Sequence, residues 1–237
     1  MNLGDMISNS IKFPFSDMKR FLGLFLLYLS SITIFLFPLT MGYSLRIIEA
    51  TTQGKNELPE FVEWGRMYID GLKLILISIV YFLIPAILII LSVVMMSISA
   101  SSIVLLIIGL LVFIIINLIY ITAVNNMAYE KKLEAAFDFK KILGIIKNMG
   151  WLNYFAYVLI AGIIAGLLSL ISDLFSSIEF FGLAGLLIGL LVSLLISSYS
   201  LMYQYRFFGL LYCHMKTELS PENEIIEKEA PDGGSEI

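Results

Sequence analysis

The chain alternates between long apolar runs and shorter polar segments, a pattern typical of helices that cross a membrane. A bilayer core requires about 20 consecutive apolar residues in helical form, and five runs of roughly that length are present. They occupy residues 21–43, 74–96, 103–124, 151–172 and 183–203. The pattern therefore predicts an all-α, polytopic membrane protein with about five transmembrane helices, in one domain over residues 1–215.

The composition supports the same interpretation. The 237 residues are 59% hydrophobic and 14% charged, with a mean hydropathy of +0.93, whereas soluble domains are about 45–50% apolar and about 25% charged. The formal net charge of −4 comes mainly from residues 216–237, which are predicted to form a disordered acidic tail. No basic patch suggests nucleic acid, and the single cysteine excludes an internal disulfide. The lipid bilayer is the expected partner.

Basic residues are distributed unevenly among the loops. Residues 125–150 contain five lysines, whereas residues 97–102 and 173–182 contain no Lys or Arg. Loops rich in Lys and Arg stay on the cytoplasmic side of a membrane. We therefore expect a multi-pass protein of the cell membrane, with the 125–150 loop and the C-terminus in the cytoplasm.

The first apolar run leaves the side of the N-terminus open. If residues 21–43 cross once, the N-terminus lies outside together with its basic residues Lys12, Lys19 and Arg20. If the N-terminus lies inside, the run re-enters the membrane and breaks near Ser30 or Pro38. Counting of basic residues favours re-entry, and helix continuity favours one crossing. A single crossing is the preferred interpretation.

Two stretches have the spacing of amphipathic helices that lie in the membrane interface: residues 59–72 and 133–150. In the first, Trp64 and Tyr68 are suited to the headgroup level, where an aromatic ring has one dry and one wet end. Asp70 has Arg66 and Lys73 at helical spacing, which predicts ion pairs. In the second, the apolar face is predicted to face lipid.

Several short motifs resemble those of a known family. They are Gly42-Tyr43 with Arg46, Leu58-Pro59-Glu60-Phe61 with Trp64-Gly65, Asp70-Gly71-Leu72-Lys73, Tyr81, Pro85, and Ala136-Phe137-Asp138-Phe139. In this order and spacing the chain resembles the archaeal and bacterial family catalogued as domain of unknown function 4013 (DUF4013). The resemblance implies a multi-spanning membrane protein, commonest in archaea. It implies no activity, cofactor or catalytic residue.

The middles of the five runs contain no Asp, Glu, Lys, Arg or His. Ionisable residues at bilayer depth usually mark proton relays, voltage sensors or active sites. The single histidine, His214, has no second ligand nearby in sequence. We therefore expect no catalytic residue, no metal site and no cofactor, and hence a protein that is not an enzyme.

Small and polar residues in the spans suggest two kinds of contact. A candidate polar seam between the second and third runs comprises Ser78, Tyr81, Pro85, Asn117 and Tyr120. Candidate packing positions in the last two runs include two GxxxG pairs, which let helix backbones approach closely in lipid: Gly162, Gly166, Ser169, Gly182, Gly185, Gly189 and Ser193. The seam is interpreted as interhelical hydrogen bonding, with a solute path as the alternative.

Three functions remain open at this point. The favoured one is a non-enzymatic integral membrane protein that organises, anchors or assists other membrane proteins or associates with itself. The alternative is a small transporter or channel for a neutral or weakly polar solute. A membrane-embedded, lipid-modifying enzyme is the least favoured, because polar side chains at the interface are scattered.

Overall fold

The computed structural model describes residues 1–30, 35–96, 102–176 and 182–217. Most of the predicted acidic tail, and parts of the two loops without basic residues, lie outside these ranges. Two short 3-10 helices, Phe13–Ser16 and Leu133–Phe137, accompany the α-helices. The α-helices of the described residues are α1 Leu3–Lys12, α2 Met18–Ser30, α3 Phe37–Thr52, α4 Trp64–Met95, α5 Ser102–Glu130, α6 Phe139–Met149, α7 Trp151–Ser176 and α8 Gly182–Thr217.

Four of the described helices are long and apolar enough to cross a membrane: α4, α5, α7 and α8. Each contains one of the four later apolar runs of the sequence. Large aliphatic side chains stay exposed along them, including Ile84, Val94, Leu111 and Leu167. Since soluble proteins do not expose apolar surface on this scale, these faces are suited to lipid. The protein is membrane-embedded and all-α over its described residues.

The first run does not form one continuous helix in the structure. It is divided between α2 and α3, which have 13 and 16 residues, and Phe35 and Leu36 form a turn before α3. At 1.5 Å per residue, helices of this length reach only about 20–24 Å, short of the roughly 30 Å bilayer core. Pro38 stands in the first turn of α3, a position where its missing N–H costs no helical hydrogen bond.

Both ends of the α2–α3 hairpin lie at the same end of the molecule. Arg20, at the start of α2, pairs with Glu60 at 3.0 Å. The Tyr43 hydroxyl, in the middle of α3, donates to the Pro59 carbonyl at 3.0 Å. Because Pro59 and Glu60 hold both helices, the start of α2 and the middle of α3 lie at the same end of the molecule. A hairpin of this shape is what the re-entrant alternative predicts, and the side of the membrane on which the N-terminus lies stays a prediction.

The helix α3 is the centre of the bundle. Eleven of its 16 residues are buried, and it packs against α2, α4, α5 and α8. Its crossing with α4 brings the two backbones into contact. A Cβ atom on Gly42 would lie 1.8 Å from the Met67 carbonyl oxygen, and one on Gly71 would lie 1.7 Å from that of Pro38. Only glycine fits at these two positions.

The two amphipathic stretches differ from their predictions. Residues 59–63 are not helical, and the rest of the first stretch forms the opening turns of α4, so it is not a separate interfacial helix. The second stretch does form a separate helix, α6. Its apolar face is buried in the protein core at Ile142, Ile145 and Ile146, rather than facing lipid, because α5 and α8 cover it.

The α3–α4 crossing predicts a large effect of one methyl group. We expect Gly71→Ala to destabilise the protein by about 1–3 kcal/mol, the usual cost of overpacking, although alanine is the better helix former. Thermal unfolding in one detergent measures the effect. Gly65→Ala is the matched control, since a Cβ there meets nothing within 4 Å. Equal stability of the two variants would contradict the crossing geometry.

Candidate functional site

A buried arginine near the end of α8 joins four parts of the chain. Arg206 is 2% exposed. Its guanidinium donates to Asn9 Oδ1 on α1 at 2.9 Å and to Thr51 Oγ1 on α3 at 3.2 Å. It also donates to the Lys55 carbonyl at 2.6 Å and to Asn56 Oδ1 at 2.7 Å. We call this cluster the Arg206 junction. It holds the N-terminus, α3, α8 and the residues after α3 at one end of the bundle.

The positive charge at the junction is stabilised by neutral hydrogen-bond acceptors. Arg206 forms no ion pair with any carboxylate among the described residues, and its partners are amide, hydroxyl and carbonyl oxygens. The Phe13 ring lies 4.5 Å from its Cζ atom, in a cation–π arrangement. Burying a cation is costly unless its donors are satisfied, and here hydrogen bonds satisfy four of the five N–H donors of the guanidinium. The arrangement is structural, because the guanidinium is fully enclosed.

The residues between α3 and α4, 53–63, form an irregular segment that we call the linker. Side chains from the hairpin bind its backbone. Arg20 donates to the Leu58 carbonyl. Arg46 donates to the carbonyls of Glu60 at 3.2 Å, Val62 at 2.5 Å and Glu63 at 3.2 Å. Backbone groups outside regular structure need such partners, so arginines perform the role that a helix or sheet performs elsewhere.

Stacked aromatic rings pack the linker against the hairpin. Phe61 stacks on Tyr43 with ring centroids 4.4 Å apart and planes 6° apart, and Trp64 stacks on Phe61 at 5.9 Å. Tyr68 packs against the same core cluster. Trp64 remains half exposed, at 51%, which fits the predicted interfacial position. The ring stack therefore links the hairpin core to the surface of the linker.

A charged basin of about 680 Å³ opens beside the linker. Five basic and five acidic side chains line it, so it has no excess of either charge: Arg20, Arg46, Lys55, Arg66, Lys131, Glu49, Glu57, Glu60, Glu63 and Asp70. Asp70 is 8% exposed and pairs with Lys73 at 2.8 Å and Arg66 at 3.7 Å, as the helical spacing predicts.

Glu49 is the half-buried carboxyl in this basin. Burial raises the pKa of Glu49 above its ordinary value, and the negative charge of Asp70 raises it further, whereas Arg66, Lys131 and Arg46 lower it. None of the ion pairs of the described residues includes Glu49. Its surroundings are mostly paired charges, and the described residues that line the basin include no Ser, Thr, Cys or His.

The candidate polar seam joins α4 to α5 through direct contacts. The hydroxyls of Ser78 and Tyr120 lie 2.8 Å apart. Tyr81 packs edge-on against Tyr120 and donates to the Ala136 carbonyl at 2.6 Å. Pro85 is buried within α4, and Asn117 is half-buried on α5. This is the geometry that interhelical hydrogen bonding requires, and water access at Asn117 stays a prediction.

The small residues of α7 and α8 do not meet as one matched pair of stripes. Gly185 and Gly189 are buried on α8, and the Ser193 hydroxyl donates to the Ser172 carbonyl on α7 at 3.2 Å. The α7 positions, Gly162, Gly166 and Ser169, are exposed, and Gly182 is exposed at the start of α8. A Cβ on Gly162 or Gly166 would meet nothing within 4 Å. The α7 GxxxG pair is therefore not used within the described chain.

A cavity of about 410 Å³ lies between the α2–α3 hairpin and the α7–α8 pair. Most of the residues that line it have a hydroxyl or amide side chain, and none of them is charged. We call it the hydroxyl-lined cavity, defined by Tyr28, Met41, Ala165, Ser169, Ser172, Ile196, Ser197, Ser200, Leu201, Gln204 and Tyr205. It lies on different helices from the polar seam that the sequence suggested.

Sequence reasoning did not identify the Arg206 junction, although a signal was present. Arg206 is the only charged residue between Gly182 and Cys213, and apolar residues continue after it. That isolation could have marked it as buried. Its partners lie about 150 to 200 positions away in the chain, and no local pattern connects them. Within the described ranges, no group of three or more His, Cys, Asp or Glu residues is placed to hold a metal ion.

Removing the Arg206 guanidinium is expected to loosen the whole junction. Arg206→Met removes the donor to the buried Thr51, the half-buried Asn9, the exposed Asn56 and the Lys55 carbonyl. A buried acceptor left without its donor costs about 1–3 kcal/mol. We expect a large drop in thermal stability in detergent and faster proteolysis within the linker. Lys140→Met is the control, because Lys140 is an exposed cation at the same end. Unchanged linker cleavage in Arg206→Met would show that the junction does not hold the linker.

The motifs that carry the family resemblance come together in two places. One group surrounds the linker and the α3–α4 crossing: Gly42, Tyr43, Arg46, Pro59, Phe61, Trp64 and Gly71. The other lies where α4 meets the segment before α6, with Tyr81 packed on Phe137 and Phe139. Arg206 is not among these motifs. The resemblance therefore rests on residues around the linker, the α3–α4 crossing and the segment before α6.

Comparison with known proteins agrees with this resemblance. No curated protein and no solved structure matches the chain. A family model described as "Protein of unknown function (DUF4013)" matches residues 25–197. That range runs from α2 to the middle of α8 and covers well over half of the sequence. The chain belongs to the DUF4013 family.

Proposed function

We propose that this protein is a non-enzymatic integral membrane protein that presents its linker as a docking surface for a partner protein at the membrane face. One observation carries the proposal: the linker backbone is held at six carbonyls by side chains from other elements. These carbonyls belong to Lys55, Leu58, Pro59, Glu60, Val62 and Glu63. A surface that is ordered before binding loses little conformational entropy when a partner binds.

The outward side of the linker has the composition of a contact surface. Val62 and Trp64 are each 51% exposed, and tryptophan is among the residues that most often dominate binding energy. Glu57 and Glu60 belong to the same linker, and their side chains are 78% and 66% exposed. An apolar centre with a charged rim is the usual anatomy of a protein interface. These features support a partner with a complementary apolar and basic patch.

The ionisable groups near the linker support a structural role over a catalytic one. The guanidinium groups of Arg20, Arg46 and Arg206 bind backbone carbonyls, and Asp70 is paired with two cations. Catalytic acids and bases need access to a substrate and a partner that orients them. Groups committed to backbone contacts lack both, which supports the proposal that the protein is not an enzyme.

The distribution of basic residues supports a cytoplasmic position for the docking surface. Nine of the 14 described Lys and Arg residues lie at the start of α4, directly after α5, on α6 or in the second half of α8: Arg66, Lys73, Lys131, Lys132, Lys140, Lys141, Lys147, Arg206 and Lys216. The re-entrant hairpin adds Lys12, Lys19 and Arg20 to the same end. Under the positive-inside rule this end of the molecule lies on the cytoplasmic side of the cell membrane. The proposed partner is therefore a cytoplasmic or membrane protein that approaches from that side.

The hydroxyl-lined cavity supports a second candidate function, transport of a small neutral solute. Irregular backbone at membrane depth is tolerated where it is buried in protein or lines a water-filled cavity. Here Tyr28 and Met41, on either side of the hairpin break, line a cavity together with serines of α7 and α8. This candidate uses a different part of the molecule from the docking surface.

Purification from native membranes with a variant pair tests the docking proposal. We expect the tagged protein in mild detergent to carry a partner at fixed stoichiometry. We expect Val62→Arg to lower the bound fraction by about tenfold or more, because it places a cation at an apolar centre that faces a basic patch. Lys140→Glu, an exposed change at the same end, serves as the control and should retain the partner. Mass measurement and protein identification provide both readouts.

Two results would contradict the docking proposal. One is a discrete particle that contains only this chain. The other is a partner that Val62→Arg retains and Lys140→Glu loses, since that pattern would place the contact on α6.

A further inference from the structure

We propose that the hydroxyl-lined cavity is a water-accessible binding site for a small neutral molecule that carries several hydrogen-bonding groups. This inference deepens the transport candidate and uses the same cavity, but binding there does not require transport. It is independent of the docking surface, because no linker residue lines the cavity.

The position of the cavity places it within the membrane region. Ser197 lies nine residues along α8 from Arg206, or about 14 Å at the helical rise. Ser169 lies 18 residues into α7 from Trp151, or about 27 Å. Towards this end of the cavity, the Ser193 hydroxyl donates to the Ser172 carbonyl and joins α7 to α8. The arrangement is a pocket beside the hairpin rather than an open pore.

The lining has unused hydrogen-bonding capacity. Gln204 Nε2 donates to Ser200 Oγ at 3.1 Å. The side-chain hydroxyls of Tyr28, Ser169 and Ser197 form no hydrogen bond with another described residue. Polar groups removed from water without partners are costly, and an acyl chain offers them none. Water or a ligand with hydroxyl or amide groups satisfies them.

The charge and size of the cavity narrow the chemical class. None of its 11 lining residues is ionised near neutral pH. A charged ligand at bilayer depth needs a compensating charge, and the nearest cation on α8, Arg206, is enclosed by the junction. The volume of about 410 Å³ falls within the usual range for small-molecule sites. Small polyols, sugars and uncharged amides fit these constraints.

Thiol accessibility tests the inference on the full-length protein. In a Cys213→Ser background, which removes the single native thiol, we expect Ser197→Cys to react with a small, charged, membrane-impermeant thiol reagent. The labelling rate of Ser197→Cys is compared with those of two control positions. Ser198→Cys is on the buried face of α8, and Leu187→Cys is on its exposed apolar face. Water access predicts that Ser197→Cys reacts about tenfold faster than either control.

Competition by defined solutes then tests the ligand class. We expect glycerol or glucose to slow labelling of Ser197→Cys in a concentration-dependent way, whereas sodium chloride at equal osmolality has no effect. Ser169→Cys, on α7, provides a second reporter if Ser197→Cys does not fold. A reporter that folds but labels no faster than Leu187→Cys would refute water access and indicate that lipid fills the cavity. Fast labelling that neither neutral solute slows would refute the ligand class.

Measuring glycerol flux in proteoliposomes distinguishes transport from binding alone. Protection by glycerol without glycerol flux supports the binding site and contradicts transport. Flux together with protection supports both.

Discussion

The fold depends on a buried cation, Arg206, that pairs with no carboxylate of the described residues. The four hydrogen bonds of Arg206 come from α1, α3 and the linker, so its burial is tolerable only when all three are in place. Gly209, one turn further along α8, allows the same helix to approach Thr51, with a Cβ there only 2.8 Å from the Thr51 side chain. The guanidinium thus couples the packing of the central helix to the position of the N-terminus and the shape of the linker.

This coupling explains why the α2–α3 hairpin returns to the end of the molecule at which it begins. A short hairpin in lipid needs its backbone groups covered by protein, and α3 is covered on most sides by α2, α4, α5 and α8. Its two ends are fixed where Arg20, Tyr43 and Arg46 bind the linker. The hydroxyl-lined cavity lies between the far part of the hairpin and α7–α8.

The sequence predicted the helices whose environment is lipid. The helices α4, α5, α7 and α8 are uniformly apolar over lengths that match a bilayer, and that property is local. The sequence was misleading where apolar residues face protein. Residues 37–43 were counted as membrane span, but they begin a core helix, and the apolar face of α6 covers the bundle instead of lipid. Hydropathy does not distinguish these two apolar environments.

The junction and the cavity bring together residues from distant parts of the chain, so neither could be predicted from local spacing. The ion pairs of Asp70 could be predicted, because its partners lie three and four residues away on the same helix.

The most direct test of the account is the side of the membrane on which α1 lies. Single cysteines in the Cys213→Ser background, introduced as Ser8→Cys on α1, Lys140→Cys on α6 and Met96→Cys beyond α4, can be labelled in sealed vesicles with an impermeant thiol reagent. All three positions are exposed. The account predicts that Ser8→Cys and Lys140→Cys label from the same side and Met96→Cys from the opposite side. Labelling of Ser8→Cys together with Met96→Cys would contradict both the re-entrant hairpin and the Arg206 junction.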